Sequence, residues 1–340
     1  MSDFKKMIDL CQGYPIYIQT HNFPDPDAIA SAYGLQKFLE IYGVESKLCY
    51  DGQIDKLSAS KMLDAFPILM TPYENLAAHM KETDRIIYVD AQKLGGNVTD
   101  FIGNEFACID HHPTFAPMEY LYQDIHITGA CATLIAEYYA QSGNEPDKDV
   151  ATALLYGLKM DTLQFTRGVT KYDIQMFEYL FTRCDKPKLA SLERNNMVFS
   201  DLKAYGAAIE NIELYDKIGF ASIPFSCPDA LIAVISDFIL SLVEVEVAVV
   251  FSFRENGVKL SVRSEDPHIH AGNLLNTALK GLGNGGGHAF MGGGFINKSH
   301  LPKLELYQKD YIRNLILGTL TEERHTHKTR ETLINSSIFS

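Results

Sequence analysis

The side chains best suited to chemistry are carboxylates and imidazoles in four clusters: His21-Asn22-Phe23-Pro24-Asp25-Pro26-Asp27, Asp90, Asp110-His111-His112 and Asp161. Carboxylate oxygens mixed with imidazole nitrogens suit Mn2+, Mg2+ or Zn2+, and this many could hold two ions. Two such ions, ~3.5–4 Å apart and sharing a carboxylate, activate water and polarise phosphoryl oxygens for ester hydrolysis. Asp25 and Asp27 stand two apart on a segment stiffened by Pro24 and Pro26, so they can reach adjacent positions. Taken singly, each residue has a plainer explanation. Asp25 or Asp27 could cap a helix, Asp27 fitting well before Ala28-Ile29-Ala30. Asp90 could sit in a turn after a strand, and Asp161 could end a helix.

Short apolar runs rich in β-branched and aromatic residues precede the first three clusters, and such runs read as buried strands. Strands are expected over residues 14–21, 46–50, 85–90 and 106–110, and helices over 27–42, 128–141 and 148–160. This βαβα order predicts an α/β fold with a mostly parallel sheet covered by helices. Ligands bind such sheets at the carboxyl ends of the strands, where three ends bearing Asp and His can meet. Residues 186–205 are more polar and are expected to link two domains, 1–185 and 206–318. In the second, strands are expected over 217–223, 243–253 and 258–263, with Glu255-Asn256-Gly257 as a hairpin turn. Helices are expected over 230–242, 273–282 and 304–317, the second leading into a glycine loop. A polar tail, 319–340, holds His325 and His327 and is expected to be disordered and solvated.

Composition narrows the function. The chain has 340 residues and a formal net charge of −13. An acidic surface disfavours long nucleic acids, whose binding is driven by phosphate neutralisation, but bound divalent ions would reverse the local sign. A small or short anionic substrate is therefore favoured over a long polymer. The most apolar stretch, 230–253, is broken by Asp237, Glu244 and Glu246, which argues against a membrane span. The lack of a signal-peptide pattern and six cysteines without a CxxC or regular framework lead us to expect reduced thiols and a cytoplasmic protein. A homodimer is left open.

The clusters carry a resemblance. His-x-x-Pro-Asp-x-Asp, a strand-terminal Asp, Asp-His-His and Gly157-Leu-Lys-Met-Asp161-Thr162 resemble the four motifs of the DHH phosphoesterases. Downstream, Gly285-Gly286-Gly287-His288-Ala-Phe-Met-Gly-Gly-Gly294 resembles the glycine-rich motif of the companion DHHA1 domain. Arg263-Ser264 stands where that subfamily ends a strand in Arg-Ser. The resemblance implies a parallel-sheet DHH domain and a smaller α/β DHHA1 domain across a cleft. It also implies two divalent ions, Mn2+ favoured, with Asp90 as bridge, His21 and Asp25 on one ion, and Asp27, His111 and Asp161 on the other. His112 becomes a phosphate contact or proton donor, and Asp110 a residue orienting a histidine. Glycine amides can contact phosphate or a base, so Arg263, Ser264, Gly285, Gly286, Gly287 and His288 are expected to bind substrate. Met291, where alanine is commoner, departs from the usual form. Arg167 is open between a phosphate contact and a surface ion pair. His79, His126 and His300 are expected to be ordinary histidines, and His268 and His270 part of a loop.

By this resemblance the function is that of a nanoRNase, which hydrolyses oligonucleotides of a few residues to 5′-mononucleotides. Some of these enzymes also dephosphorylate 3′-phosphoadenosine 5′-phosphate. The alternatives are a phosphodiesterase of cyclic di-AMP, pApA or pGpG, and a non-catalytic nucleotide or metal sensor.

Overall fold

The computed structural model describes residues 4–54, 56–114, 116–194 and 197–321. They form two compact units, dividing between residues 196 and 197.

The first unit begins with α1 (Phe4–Cys11), β1 (Ile16–Gln19), α2 (Pro26–Ile41), β2 (Ser46–Tyr50), α3 (Leu57–Ala65), β3 (Met70–Pro72), β4 (Arg85–Val89), β5 (Asn104–Asp110) and β6 (Tyr122–Ile125). It ends with α4 (Cys131–Ser142), α5 (Lys148–Asp161), α6 (Lys171–Phe181) and α7 (Lys186–Glu193). The six strands pair in parallel in the order β3-β2-β1-β4-β5-β6. Strand order reverses between β1 and β4, where an open α/β sheet leaves a crevice above its carboxyl ends. Both strands are buried along nearly their whole length, as a parallel sheet covered on both faces requires.

Helix α2 is buried through most of its turns, and its small residues let neighbouring helices approach. A Cβ on Gly157 of α5 would come 2.8 Å from Ala30 Cβ and 3.1 Å from Asp27 Cα. That glycine therefore lets the start of α2, and the carboxylates there, lie against α5.

The second unit contains α8 (Asp201–Glu210), β7 (Ile212–Tyr215), β8 (Ile218–Ile223), α9 (Asp229–Leu240), β9 (Val247–Arg254), β10 (Gly257–Ser264), α10 (Ala271–Ala278), β11 (Gly283–Gly287) and β12 (Met291–Asn297). A further helix runs over 308–321. The sheet order is β11-β12-β10-β9-β8-β7, with β8 and β9 parallel and the other pairs antiparallel.

The structure differs from the sequence expectations in several places. Within the expected linker, for which a helical form was left open, Leu189 and Leu192 of α7 join the first core, and Ala204 and Ala208 of α8 join the second. β9 starts at Val247 rather than residue 243, because residues 242–245 turn, with Val245 N–H donating to Leu242 O (3.0 Å), and Val243 is exposed. α10 stops at Ala278, since Gly281 turns at φ +80°. The expected glycine loop is an edge strand, β11, paired with β12. A Cβ at Gly285 or Gly292 would strike α10, and one at Gly294 the Leu279 side chain just past it, so bare glycine lets the helix settle on the hairpin. The expected tail begins inside the last helix, and its remainder, with His325 and His327, lies outside the described residues. Among the described residues no helix is long and apolar enough to cross a membrane, and all six cysteines are free and buried.

Candidate metal centre

The carboxyl ends of β1, β4 and β5 bring the expected ligands together. Two groups of donor atoms lie within 4.8 Å of one another: His21, Asp25 and Asp90, and Asp27, His111 and Asp161. A third grouping joins Asp90 to Asp110, His111 and His112. Asp90 spans the two main groups: Oδ2 lies 3.6 Å from His21 Nε2, and Oδ1 lies 3.3 Å from His111 Nε2. Asp161 Oδ2 is 3.4 Å from the same His111 nitrogen.

Local structure aims each group. Asp25 caps α2, Oδ1 accepting from Asp27 N (3.0 Å) and Ala28 N (3.2 Å). Asp27 is not the cap of its own helix; its carboxylate accepts from Cys131 N (2.7 Å) and Ala132 N (3.0 Å) at the start of α4. Each keeps lone pairs for a cation, since a carboxylate has about four acceptor sites. Asp90 turns out of β4 at φ 57°, a left-handed conformation that Asp adopts more readily than most residues. His111 Nδ1 lies 3.0 Å from Thr128 O, which directs Nε2 to the centre, the usual way a ligating imidazole is oriented. Asp110 holds His112 Nδ1 at 2.9 Å and accepts from Gln92 Nε2 at 2.7 Å. Its oxygens are thus engaged in positioning its neighbours.

The electrostatics suit a cation. Asp90 Oδ1 and His111 Nε2 are buried without a hydrogen-bond partner, a costly state unless another group satisfies them. Burial, then the charges of Asp90 and Asp161, push Asp27 well above the usual carboxylate range. Burial also lifts Asp161; His111 opposes the shift while Asp90 and Asp25 add to it, and the result is about 6. Burial opposes charge on His21, but the Asp25 and Asp90 carboxylates override it and raise the imidazole to about 9. Burial also opposes charge on His111, which Asp90, Asp27 and Asp161 raise well above the ordinary value. Protons thus compensate crowded carboxylates, and divalent ions could take their place. The donors are hard oxygens and borderline nitrogens with no thiolate, so the set fits such ions.

Several contributors were not legible beforehand. Asp173 of α6 is wholly buried and binds Gly129 N (2.9 Å), Thr133 Oγ1 (2.5 Å), Thr170 N (2.6 Å) and Thr170 Oγ1 (2.7 Å). It anchors the loop whose Thr128 carbonyl faces His111. The Thr170-x-x-Asp173 pair forms a capping box, a local signal that marks a helix start but says nothing of a metal. Lys56 Nζ lies 3.6 Å from Asp25 Oδ2. Arg167, which the sequence left open between a phosphate contact and a surface ion pair, folds back through three left-handed residues, Leu163, Gln164 and Phe165. Its Nη2 donates to Asp161 O (2.7 Å) and lies 3.4 Å from Asp161 Oδ1. His126 pairs with Asp124 at 3.0 Å, and His270 caps α10.

In the second unit, Arg263 Nε donates to Asp237 Oδ1 (2.5 Å), and Nη1 donates to Ser261 Oγ (3.2 Å). Ser264 is buried, its hydroxyl donating to Asp266 O (3.2 Å). Gly286 and Gly293 pair across β11 and β12, and a Cβ on either would meet nothing within 4 Å. The register puts them on the sheet face of Ser261 and Arg263. His288 is exposed at the turn.

Residues 15–158 match the model of the DHH family N-terminal domain, and residues 217–314 match the DHHA1 domain. The chain is a DHH–DHHA1 protein. Among relatives of this DHH–DHHA1 chain, the uncharacterised protein MJ1633 of Methanocaldococcus jannaschii is 29% identical over 277 residues, covering 81% of this chain and 56% of that protein. A Streptococcus suis protein named as a probable manganese-dependent inorganic pyrophosphatase is 30% identical over 147 residues, 42% of this chain and 47% of its own length. The chain thus spans about half the length of these curated relatives. The crystal structure of an exopolyphosphatase-related protein from Bacteroides fragilis shares the fold, with TM-score 0.74 at 19% identity over 94% of this chain and 96% of that one.

Proposed function

We propose that this DHH–DHHA1 chain is a metal-dependent phosphodiesterase that hydrolyses very short RNA to 5′-mononucleotides, with 3′-phosphoadenosine 5′-phosphate as a further substrate. The observation that supports it most is Asp90, buried, with its two oxygens turned to two separate donor groups. His21 and Asp25 would hold one ion, and Asp27, His111 and Asp161 the other, with Asp90 shared. Bound there, the two ions, Mn2+ by the character of the donors and the Streptococcus suis relative, would polarise the phosphoryl group and activate water.

The chain's own residues supply the rest. Asp110 fixes His112 through Nδ1, which leaves Nε2 of a half-exposed ring to hold a proton for the departing oxygen. Gln92 donates to both Asp110 and the His112 carbonyl (3.1 Å), keeping this pair in register. Substrate binding is assigned to Arg263, Ser264, Gly285, Gly286, Gly287 and His288 of the second unit. Within that set, Gly285 and Ser264 shape the surface, while Gly286, His288 and the Arg263 guanidinium present it.

The test is Mn2+-dependent hydrolysis of 5′-phosphorylated RNA from two to ~20 nucleotides, compared with cyclic di-AMP, pGpG, 3′-phosphoadenosine 5′-phosphate and pyrophosphate. Rapid cleavage confined to the shortest RNAs is expected. Preference for a cyclic or linear signalling dinucleotide would keep the metal centre and replace the substrate; no turnover with stoichiometric metal bound would make the chain a sensor.

A further inference from the structure

We infer that the Phe23 ring is a stacking platform for a nucleobase of the ligand, a binding element in the metal-bearing unit. The inference rests on the phosphoester reading for its ligand and is tested separately from it. Phe23 has φ 57°, and a bulky residue in the left-handed region is a true outlier. Burial does not explain it, because the residue is 60% exposed. Strain of this kind persists only where surrounding bonds hold it, and here they do. Asn22 N donates to Asn97 O (2.7 Å) and Phe23 N to Asp51 O (3.0 Å). Asn22 Nδ2 donates to Thr99 Oγ1 (3.0 Å), and that hydroxyl donates to Asp51 Oδ2 (2.6 Å).

The ring has a defined seat. A Cβ on Gly52 would lie 2.8, 2.9 and 3.0 Å from ring atoms Cε1, Cδ1 and Cζ. Near-equal distances to three consecutive ring atoms place that point over the ring face; an in-plane approach would make the outer two far longer. One face of Phe23 thus rests on the bare backbone of Gly52, and the residue's exposure leaves ring surface open to a ligand. Phe23 stands two residues from each of His21 and Asp25, within ~7 Å of chain, so a flat group on it would be attached close to a phosphate held at the centre. Leu94 and Leu163 are also left-handed and exposed near ligands, but neither offers a π face. Base–aromatic stacking tolerates any base and suits a short substrate read without sequence.

The experiment is calorimetric binding of AMP and of ribose 5-phosphate, which differ by the base, to the full Mn2+-loaded chain and to Phe23→Ala, Phe23→Leu, Phe23→Tyr and Phe23→Asn. Phe23→Ala and Phe23→Asn should weaken AMP by about 5- to 100-fold, leave ribose 5-phosphate within about twofold, and keep the metal content. Phe23→Tyr should retain AMP affinity, and Phe23→Leu should lose most of it. Phe23→Asn should also melt higher, since Asn relieves the backbone strain. Equal losses for both ligands, Phe23→Leu binding AMP like the parent, or a parent that binds AMP no better than ribose 5-phosphate would overturn the inference. A chain that shows the AMP pattern yet cleaves no phosphoester would sink the enzymatic reading and leave the platform standing.

Discussion

Stripping metal from the centre should make stability fall as pH rises, and the raised pKa values of Asp161 and His21 mark out the window. In the folded, metal-free chain Asp161 titrates at about 6 against 3.8 for a free carboxyl, so the folded state holds the extra proton between those values. Stability must therefore fall as pH rises through that range. His21 titrates at about 9 against 6.5; its contribution is complete below 6.5 and lost as pH climbs toward 9. At ~1.4 kcal/mol per pH unit, each group accounts for a loss on the order of 3 kcal/mol. For a domain of this size that is roughly 6–12 °C in Tm. Metal reverses the sign, because ligands must shed protons to bind it: Mn2+ affinity should rise by up to about tenfold per pH unit while one proton is displaced. Differential scanning calorimetry at pH 5.5 to 8.5, chelated against Mn2+-loaded, should show the first-unit transition of the chelated protein sinking and the gap to the loaded form widening. Titration calorimetry in buffers of different ionisation enthalpy should count about one or more protons released per chain at pH 7.5. A chelated transition that is flat or rises over pH 6.5–8.5, or metal binding without proton release, would refute the reasoning.

Asp90→Asn keeps shape and tolerance of a left-handed backbone but halves the bridge, so bound Mn2+ should drop below one per chain by elemental analysis and turnover should collapse; near-normal turnover would remove Asp90 as bridge. Asp173→Ala leaves Gly129 N, Thr133 Oγ1 and Thr170 N without their buried acceptor, which should cost about 3 kcal/mol or more in denaturant unfolding and weaken Mn2+ binding through the Thr128 loop. Gly285→Ala would set a Cβ 2.6 Å from Leu275 O and should destabilise the second unit. Gly286→Ala meets nothing and should hold stability within ~0.5 kcal/mol while raising KM, so a Gly286→Ala enzyme with unchanged KM would take the glycine strand out of substrate binding.

What could be read in advance, and what could not, divides by the range of the interactions involved. The Asp and His residues at strand ends were visible because apolar runs and the residues that stop them are neighbours in sequence: Ile86 to Val89 then Asp90, Phe106 to Ile109 then Asp110. The reversal of strand order was not, because it is set by β2 and β4 pairing on opposite sides of β1, between residues far apart in sequence. Asp173 was missed for the same reason, since its partners Gly129 and Thr133 lie 44 and 40 residues away. The glycines show the opposite failure. Their pattern was conspicuous and was expected to form a loop, yet it builds a strand pair: a Cβ at Gly285 or Gly292 would strike α10, while one at Gly286 or Gly293 would meet nothing within 4 Å.

The same distinction explains why the candidate ligands were legible before their geometry. A carboxylate advertises its charge wherever it lies, but its role depends on which lone pairs the fold has already used. Asp110 spends its oxygens on His111 N, His112 Nδ1 and Gln92 Nε2; Asp27 divides its own between the start of α4 and the centre; Asp90 Oδ1 faces imidazole nitrogens alone, His111 Nε2 at 3.3 Å and His112 Nδ1 at 3.6 Å, with no backbone amide on it. Ranked by unspent acceptor capacity, Asp90 comes first and Asp110 last. That ranking separates the residue that would bridge two ions from the one that steadies a histidine, on grounds independent of the motif in which either stands.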